Sequence, residues 1–297
     1  MRVVANLSTM FQNVELIKRY EKAAKLGFRF VEISLPYEVK AEELKREADR
    51  HSLKHILINA PAGDWSSGFR GIAALPSCQS DFPDSITTAI EYANILECKK
   101  FNQCLVAVNN PLTFIPIQGQ VHIMAGVTEI NDESMTTYME NIAYACGALA
   151  EHGIMCLIEP INQITIPNYF LGSYAQAVEI LQRIGHPNLR ITLDIFHAQQ
   201  ICGKLTNTIT TLSNFIGHVQ VAQVPGRNEP NSNGEINYQY VFEILKRYGI
   251  WDIGCEYSES SELAESVEWV HLINGIDKCL LSFMNPTPSH DHLDWMN

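Results

Sequence analysis

The sequence has no CxxC pair, no long apolar run and no excess of positive charge. Its eight cysteines are scattered from Cys78 to Cys279, mostly in apolar segments, which is typical of buried free thiols in a reducing compartment. No run reaches the about 18 apolar residues that a membrane-spanning helix needs, and the N-terminus lacks a charged segment followed by an uninterrupted apolar one. We therefore expect a cytoplasmic protein without a signal peptide or a membrane span.

Acidic residues outnumber basic ones, with 33 Asp and Glu against 21 Lys and Arg, which gives a formal net charge of −12. Because such a chain repels phosphate backbones, no nucleic-acid partner is predicted. Nucleotide binding also lacks its usual signals, since no GxGxxG follows the first apolar segment and no GxxxxGK[ST] occurs. The sequence leaves a homo-oligomer open.

What the sequence does contain is a regular alternation of short apolar runs and amphipathic stretches of helical period. The candidate strands are residues 3–8, 30–36, 55–61, 121–127, 154–162, 189–197, 216–224 and 252–257. The candidate helices are residues 14–26, 41–51, 85–97, 134–151, 173–184, 238–248 and 261–276, with shorter helices expected in the polar link 197–214. This alternation predicts an α/β fold, a (β/α)8 TIM barrel forming a single domain over residues 1–297. An open doubly wound sheet is the alternative.

One segment interrupts the alternation. Residues 101–120 separate the third helix from the fourth strand, where such connections usually take about 2 to 6 residues. The segment is apolar, rich in β-formers and interrupted by Pro111 and Pro116. It is either a genuine surface excursion or an atypical insert that does not pack into the barrel, and it belongs to the N-terminal face, away from the catalytic end.

Four polar residues stand where apolar runs end in the second half of the chain. They are Glu159, Asp194, Gln220 and Glu256, at or near the ends of strands five to eight. Active sites of such barrels collect at the C-terminal ends of the strands, so the four side chains are expected to converge. Three buried carboxylates without a cation would disrupt the fold or raise their own pKa values. The set therefore predicts a site for a hard divalent cation, Mg²⁺ or Mn²⁺.

Several strings around these residues carry a family resemblance. They are GFRGIAALP (68–76), IEPIN (158–162), LDIFHAQ (193–199), GHVQVAQVPGRNEP (217–230), GEINYQYVF (234–242) and GCEY (254–257). Together they closely resemble the hydroxypyruvate isomerases of the xylose isomerase-like barrel superfamily, over nearly the whole chain except 101–120. The resemblance implies interconversion of hydroxypyruvate and tartronate semialdehyde (2-hydroxy-3-oxopropanoate) through an enediolate. Glu159 and Glu256 match the family's two proton-transferring glutamates, and both could also bind the metal.

A hydroxy-keto acid substrate carries a carboxylate, which requires a cation in the pocket. Arg227, just beyond strand seven, is the best candidate, and pairing with Glu229 is its alternative. His197 follows Asp194 by one helical turn and could donate to a substrate oxygen or cap a helix. Trp65 and Arg70 lie in a glycine-rich loop of the type that closes over barrel sites. Arg70 is a second candidate anchor for the carboxylate. Trp65 could either close over the site or simply pack against its neighbours.

Two further polar residues are placed in strands. Glu32 could point into the barrel, and we expect it to support the site rather than react. His218 precedes Gln220 by two residues, so both side chains are expected on one face of strand seven, with His218 packed and hydrogen-bonded below the metal.

The resemblance also has a departure and several rivals. The family commonly has EPINTR where this chain reads EPINQITIP, so a substrate contact or loop salt bridge is in doubt. A ketose 3-epimerase or inosose-type dehydratase would use a similar site, but such epimerases typically have a histidine where Gln220 stands. An endonuclease IV-like enzyme would need more histidine ligands and a basic surface. A non-catalytic barrel is the remaining alternative, although it has no need to keep buried charges together.

Overall fold

A computed structural model describes residues 1–98, 119–249, 251–262 and 264–273, together with two short strands at Leu105–Val106 and Thr113–Phe114. Eight parallel strands form a closed barrel in which each strand pairs with its neighbours and the first pairs with the last. The strands are β1 (Arg2–Asn6), β2 (Phe30–Ile33), β3 (Lys54–Asn59), β4 (Gln120–Ile123), β5 (Met155–Ile158), β6 (Leu189–Asp194), β7 (Ile216–Val221) and β8 (Asp252–Cys255). The predicted (β/α)8 barrel is confirmed, and the open doubly wound sheet is wrong.

Helices follow the strands around the barrel. They are α1 (Leu16–Lys25), α2 (Ala41–Arg50), α3 (Phe82–Ile95), α4 (Asp132–Glu151), α5 (Tyr174–Ile184), α6 (Ile195–Ile201), α7 (Leu205–Leu212), α8 (Tyr238–Tyr248) and α9 (Val270–Ile273). The polar link after β6 holds the two short helices α6 and α7, as predicted. The predicted last helix, 261–276, is instead a 3₁₀ turn at Glu265–Val267 followed by α9, and its final residues lie outside the described part of the chain.

Several predicted strands run past their true C-terminal ends. Strand five was predicted to residue 162, but β5 ends at Ile158, because the apolar character of the sequence continues into a buried loop through Ile161. Strand four was predicted over 121–127, whereas β4 includes Gln120 and ends at Ile123. Ala125 beyond it pairs with Gly71 in an isolated antiparallel bridge. The overruns therefore mark apolar loops at the C-terminal face of the barrel.

The predicted insert spans 101–120, and most of residues 101–118 lie outside the described part of the chain. Its last residue, Gln120, belongs to β4 of the barrel. Of this segment the structure gives one antiparallel pair, in which Leu105–Val106 pairs with Thr113–Phe114. The choice between a surface excursion and an atypical insert stays open, as do the extent of the single domain over 1–297 and the cytoplasmic location. Among the described helices, none has the length and apolarity needed to cross a membrane.

Glycine fixes how two loops meet at the C-terminal face. Gly71 has a φ of +116°, and a Cβ there would collide with the backbone of Met124 and Gly126. Only glycine fits such a backbone conformation and such a close approach. The loop after β3, which carries Trp65 and Arg70, is therefore held against the loop after β4, at the mouth of the barrel.

Candidate active site

A cavity of about 730 Å³ opens at the C-terminal ends of the barrel strands. Seven of the eight residues predicted to bind the cation or the substrate line it: Trp65, Arg70, Glu159, His197, Gln220, Arg227 and Glu256. The eighth, Asp194, is fully buried at the end of β6 and contacts Arg227 in the same cavity. The structure thus brings the sequence-selected side chains together at one mouth of the barrel.

The oxygen atoms of this set are arranged to accept a cation. Glu159 Oε1, Gln220 Oε1 and Glu256 Oε2 are buried, and none has a hydrogen-bond partner among the described residues. A buried polar atom without a partner is costly, so three of them facing one cavity indicate a ligand that supplies the missing contacts. Two carboxylates and an amide oxygen, with Asp194 beside them, form a donor set that fits a hard divalent cation.

A buried network under the cavity fixes the orientation of Gln220. Glu32 Oε1 accepts hydrogen bonds from Gln220 Nε2 at 2.9 Å and from Asn6 Nδ2 at 2.8 Å, and Glu32 Oε2 contacts His218 Nε2 at 2.8 Å. Glu32 therefore points into the barrel from β2 and joins β1 to β7. Reversing the Gln220 amide would set two oxygens against each other, so its Oε1 must face the cavity.

Arg227 lies between two of the candidate ligands. Its Nη2 is 3.1 Å from Asp194 Oδ2 and 3.2 Å from Glu256 Oε1, and its guanidinium lies 4.7 Å from the centre of the Phe196 ring. The alternative pairing with Glu229 is wrong, because that carboxylate accepts instead from Ser260 and Ser261. Arg227 Nε is buried and has no partner among the described residues, so part of its fork is available to another anion.

Burial and mutual repulsion shift the titration of the acidic cluster. Burial first, then the charges of Glu256 and Asp194, raises the pKa of Glu159 well above its usual range. Burial raises the pKa of Glu256 to about 7, although Arg227 opposes the shift. Burial raises the pKa of Asp194 as well, against the opposing effect of Arg227. Three carboxyls with raised pKa values in one cavity have too little positive charge near them, which a divalent cation would supply.

His197 stands one turn into α6, directly above Asp194. Its Nε2 is 3.6 Å from Asp194 Oδ2, and its other ring nitrogen contacts Asn162 in the loop after β5. Burial, followed by the charge of Arg227, lowers the pKa of His197 well below its usual value. One potential ligand atom from each of Glu159, Asp194 and His197 lies within 4.8 Å of the others.

His122 lines the same cavity and was not singled out from the sequence. It lies in β4 opposite Leu157 of β5, with Nε2 3.5 Å from Glu159 Oε2 and no hydrogen-bond partner for that nitrogen among the described residues. Burial, then the charge of His218, lowers the pKa of His122 to about 3. A polar residue near the end of an apolar strand was the available signal, the same one that marked Gln220.

Trp65 and Arg70 form one unit at the mouth of the cavity. The guanidinium of Arg70 lies 4.2 Å from the centre of the Trp65 ring, and its Nη1 donates to the carbonyl oxygens of Trp65 and Phe69. Trp65 is 44% exposed and lines the cavity beside Arg70. The lid function and the packing alternative for Trp65 both stay predictions.

The chain is similar to several known proteins over about nine-tenths of its length. The chain is 41% identical to a protein of Caenorhabditis elegans named putative hydroxypyruvate isomerase, over 91% of this chain and 95% of that one. It is 40% identical to the hydroxypyruvate isomerase of Escherichia coli strain K12, over 91% and 98% of the two chains. A crystal structure from Brucella melitensis, titled AP endonuclease, family 2, superposes with a TM-score of 0.81 at 37% identity, covering 90% and 97% of the two chains. Residues 20–273 match the family model described as the xylose isomerase-like TIM barrel. The chain belongs to the xylose isomerase-like TIM barrel family.

Proposed function

We propose that the protein is a divalent-cation-dependent isomerase that interconverts 3-hydroxypyruvate and 2-hydroxy-3-oxopropanoate (tartronate semialdehyde). One observation carries the proposal: three buried oxygens, on Glu159, Gln220 and Glu256, have no hydrogen-bond partner in the described part of the chain, and these residues line a cavity that Arg227 also lines. The names of the relatives support the choice of substrate, because both match almost the full length of this chain.

Glu159, Asp194, Gln220 and Glu256 would hold the cation, with Mg²⁺ or Mn²⁺ suited to this all-oxygen donor set. When bound, the cation polarises the ketone of the substrate and stabilises the negative charge that develops on its oxygens. The neutral amide of Gln220 keeps the set at three carboxylates, and its oxygen is held in position by the bond from Nε2 to Glu32.

Proton transfer is assigned to the two glutamates. One glutamate takes a proton from C3 of hydroxypyruvate, which leaves an enediolate over C2 and C3. A protonated glutamate then returns a proton to C2. O3 loses its hydroxyl hydrogen as C3 becomes the aldehyde carbon, and O2 gains a hydrogen, so substrate and product have the same formula. Burial raises the pKa of Glu256 and Arg227 opposes the shift, and a bound cation would lower this pKa further, which favours the carboxylate that a base requires.

The carboxylate of the substrate is assigned to Arg227, with Arg70 as a second cation near the entrance. The Nε of Arg227 has no partner within the described ranges, and the planar fork of this residue matches a carboxylate. Nη1 of Arg70, in contrast, already donates to two carbonyl oxygens. Trp65 would cover the entrance and reduce water access during proton transfer.

The experiment is incubation of the purified protein with hydroxypyruvate in D₂O, with Mg²⁺ or Mn²⁺ added, followed by NMR. Turnover is expected to produce the aldehyde and to place deuterium at C2. Glu159→Gln and Glu256→Gln are each expected to lower kcat by about 10²- to 10⁴-fold, because each removes a proton-transfer group.

Glu47→Gln is the matched control, since Glu47 is also buried but belongs to α2, outside the cavity. Its kcat is expected to equal that of the wild type. No aldehyde with either cation, or unchanged turnover in Glu256→Gln, would contradict the proposal. Turnover of a longer ketose alone would assign the site to an epimerase instead.

A further inference from the structure

Asn162 and His197 form a buried pair at the edge of the cavity. Both residues are 2% exposed. The backbone N–H of Asn162 donates to His197 Nδ1 at 3.3 Å, and the side-chain Nδ2 of Asn162 lies 2.7 Å from the same ring nitrogen. A ring nitrogen that accepts from a backbone N–H has no proton of its own.

The amide of Asn162 is locked in this orientation. Its Oδ1 accepts from the backbone N–H groups of Ile164 at 3.0 Å and Thr165 at 2.8 Å, which closes a turn in the loop after β5. Its Nδ2 also donates to Thr165 Oγ1 at 3.0 Å. Flipping the amide would place its NH₂ group against two backbone N–H donors, so Nδ2 must face His197.

We infer that Asn162 is a positioning residue that keeps His197 as the Nε2–H tautomer, so that His197 is a hydrogen-bond donor in the cavity and not a metal ligand. With Nδ1 unprotonated, the single ring proton is on Nε2. Nε2 faces Asp194 Oδ2 at 3.6 Å. A nitrogen that carries a proton has no lone pair for a cation, although its position beside Glu159 and Asp194 would otherwise suit a ligand.

The donor has a defined use in the proposed reaction. When a proton leaves C3 of the substrate, negative charge develops on the substrate oxygens, and an N–H group placed in the cavity stabilises it. His197 Nε2–H is such a group, and Asn162 fixes its direction from the opposite side of the ring. The kinetic consequence of the inference rests on the proposed function, whereas the tautomer itself does not.

The test is ¹⁵N NMR of the full chain labelled at its histidine rings, with His197→Gln used to assign the His197 signals. In the wild type, Nδ1 is expected at the position of an unprotonated ring nitrogen and Nε2 at that of a protonated one. Added Mg²⁺ is expected to leave the proton on Nε2. A protonated Nδ1, or loss of the Nε2 proton when Mg²⁺ binds, would overturn the inference.

Asn162→Asp separates the two functions of the side chain. One carboxylate oxygen can still accept from Ile164 and Thr165, but the other can no longer donate to His197. The backbone N–H of residue 162 still points at Nδ1 from 3.3 Å, but a carboxylate oxygen at the closer 2.7 Å position requires a proton on Nδ1. The Nδ1 signal is therefore expected to move to the protonated position. Thr165→Val is the matched control, because it removes only the Nδ2 to Oγ1 bond and is expected to leave the tautomer unchanged.

An unchanged Nδ1 signal in Asn162→Asp would show that Asn162 does not set the tautomer. If that variant fails to fold, Asn162→Ala serves instead. Its backbone N–H still donates to Nδ1 but the closer Nδ2 donor is gone, so the Nδ1 signal is expected to move part of the way toward the protonated position. In the hydroxypyruvate assay, Asn162→Asp is expected to lower kcat by about 10- to 100-fold, in line with other residues that orient a functional histidine. If the wild type does not turn over hydroxypyruvate, the proposed function fails, and the NMR result still decides the inference.

Discussion

The side chain of Gln220 donates from Nε2 to Oε1 of Glu32 across 2.9 Å, and this bond determines which atom of Gln220 enters the candidate active site. Glu32 is completely buried and makes no contribution to the cavity lining. Glu32 affects the cavity only through the side chains that it binds, since it accepts hydrogen bonds from Asn6 of β1 and Gln220 of β7. The orientation of one proposed ligand is thus set by a residue on the far side of the barrel interior.

Gly254 makes room for this arrangement, which gives a first prediction. It pairs with Gln220 in the β8–β7 register, and a Cβ at this position would lie 2.5 and 2.7 Å from the two carboxylate oxygens of Glu32. Gly254→Ala is expected to lower the free energy of unfolding by about 1–3 kcal/mol through overpacking. It is also expected to weaken binding of Mn²⁺ in isothermal titration calorimetry, because Glu32 can no longer hold Gln220.

Gly147 provides the control. It lies within α4, and a Cβ there would meet no atom within 4 Å. Gly147→Ala is expected to leave Mn²⁺ binding unchanged and to stabilise the fold by about 0.5–1 kcal/mol, since alanine favours the helix. Unchanged stability and unchanged Mn²⁺ affinity in Gly254→Ala would contradict the role of Glu32.

The two candidate carboxylate anchors can be told apart by substitution. Arg227→Met is expected to raise KM for hydroxypyruvate by about 10- to 100-fold, which corresponds to the loss of a charged hydrogen bond of about 1.5–3 kcal/mol. Arg70→Met is expected to have a smaller effect, because Nη1 of Arg70 is bonded to the carbonyl oxygens of Trp65 and Phe69. Steady-state kinetics on both variants measure the difference. A larger KM increase in Arg70→Met would reverse the assignment.

Cation binding should stabilise the fold through Asp194. Added Mn²⁺ is expected to raise the Tm of the wild type. At a concentration 100 times Kd, it should increase the free energy of unfolding by about 2.7 kcal/mol. Asp194→Asn is expected to reduce this increase. Asp252→Asn is the control, since Asp252 is a buried aspartate paired with Arg2 outside the cavity. Its Tm is expected to be lower without Mn²⁺ but to rise by as much as in the wild type. Equal increases in all three proteins would argue against a cation at Asp194.

Glu229 should make stability depend on acid pH. Burial alone would raise the pKa of Glu229, but hydrogen bonds from Ser261 and Ser260 lower it below the usual value. A carboxyl with a lowered pKa contributes stability that is complete above its unfolded pKa of about 4.3 and is lost as the pH falls through its folded pKa. In urea unfolding, the free energy of unfolding of the wild type should therefore decrease below this pH more than that of Glu229→Gln. Glu243→Gln, at an exposed position of α8, should follow the wild type, and identical pH profiles for all three would contradict the prediction.

The sequence predicted the positions that local pattern alone determines. An apolar run that ends in a polar residue marked Glu159, Asp194 and Glu256, and each stands at the last position of its strand or directly after it. The bounds of the strands were less accurate, because apolar residues continue into buried loops at this face. The sequence therefore indicated where the side chains leave the barrel, but not where each strand stops.

Residues whose contacts come from distant parts of the chain were missed or left undecided. Asn162 contacts His197 from 35 positions away, and no spacing rule connects them. His122 faces Glu159 only because β4 and β5 are neighbours in register. The choice between Glu229 and an anion as the partner of Arg227 depended on loop geometry, which places Glu229 against Ser260 and Ser261 instead.

Asp194 uses its two oxygens for different purposes. Oδ1 accepts from the backbone N–H of Phe196 at 2.8 Å and so begins α6, while Oδ2 faces Arg227 in the cavity. A ligand that binds Oδ2 is expected to shift the Asp194 carboxylate and so to change the hydrogen bond from the Phe196 N–H to Oδ1. This bond holds the first turn of α6, which contains His197. The hydrogen-exchange rate of the Phe196 amide would therefore change when a ligand occupies the cavity, and would serve as a backbone measure of ligand binding.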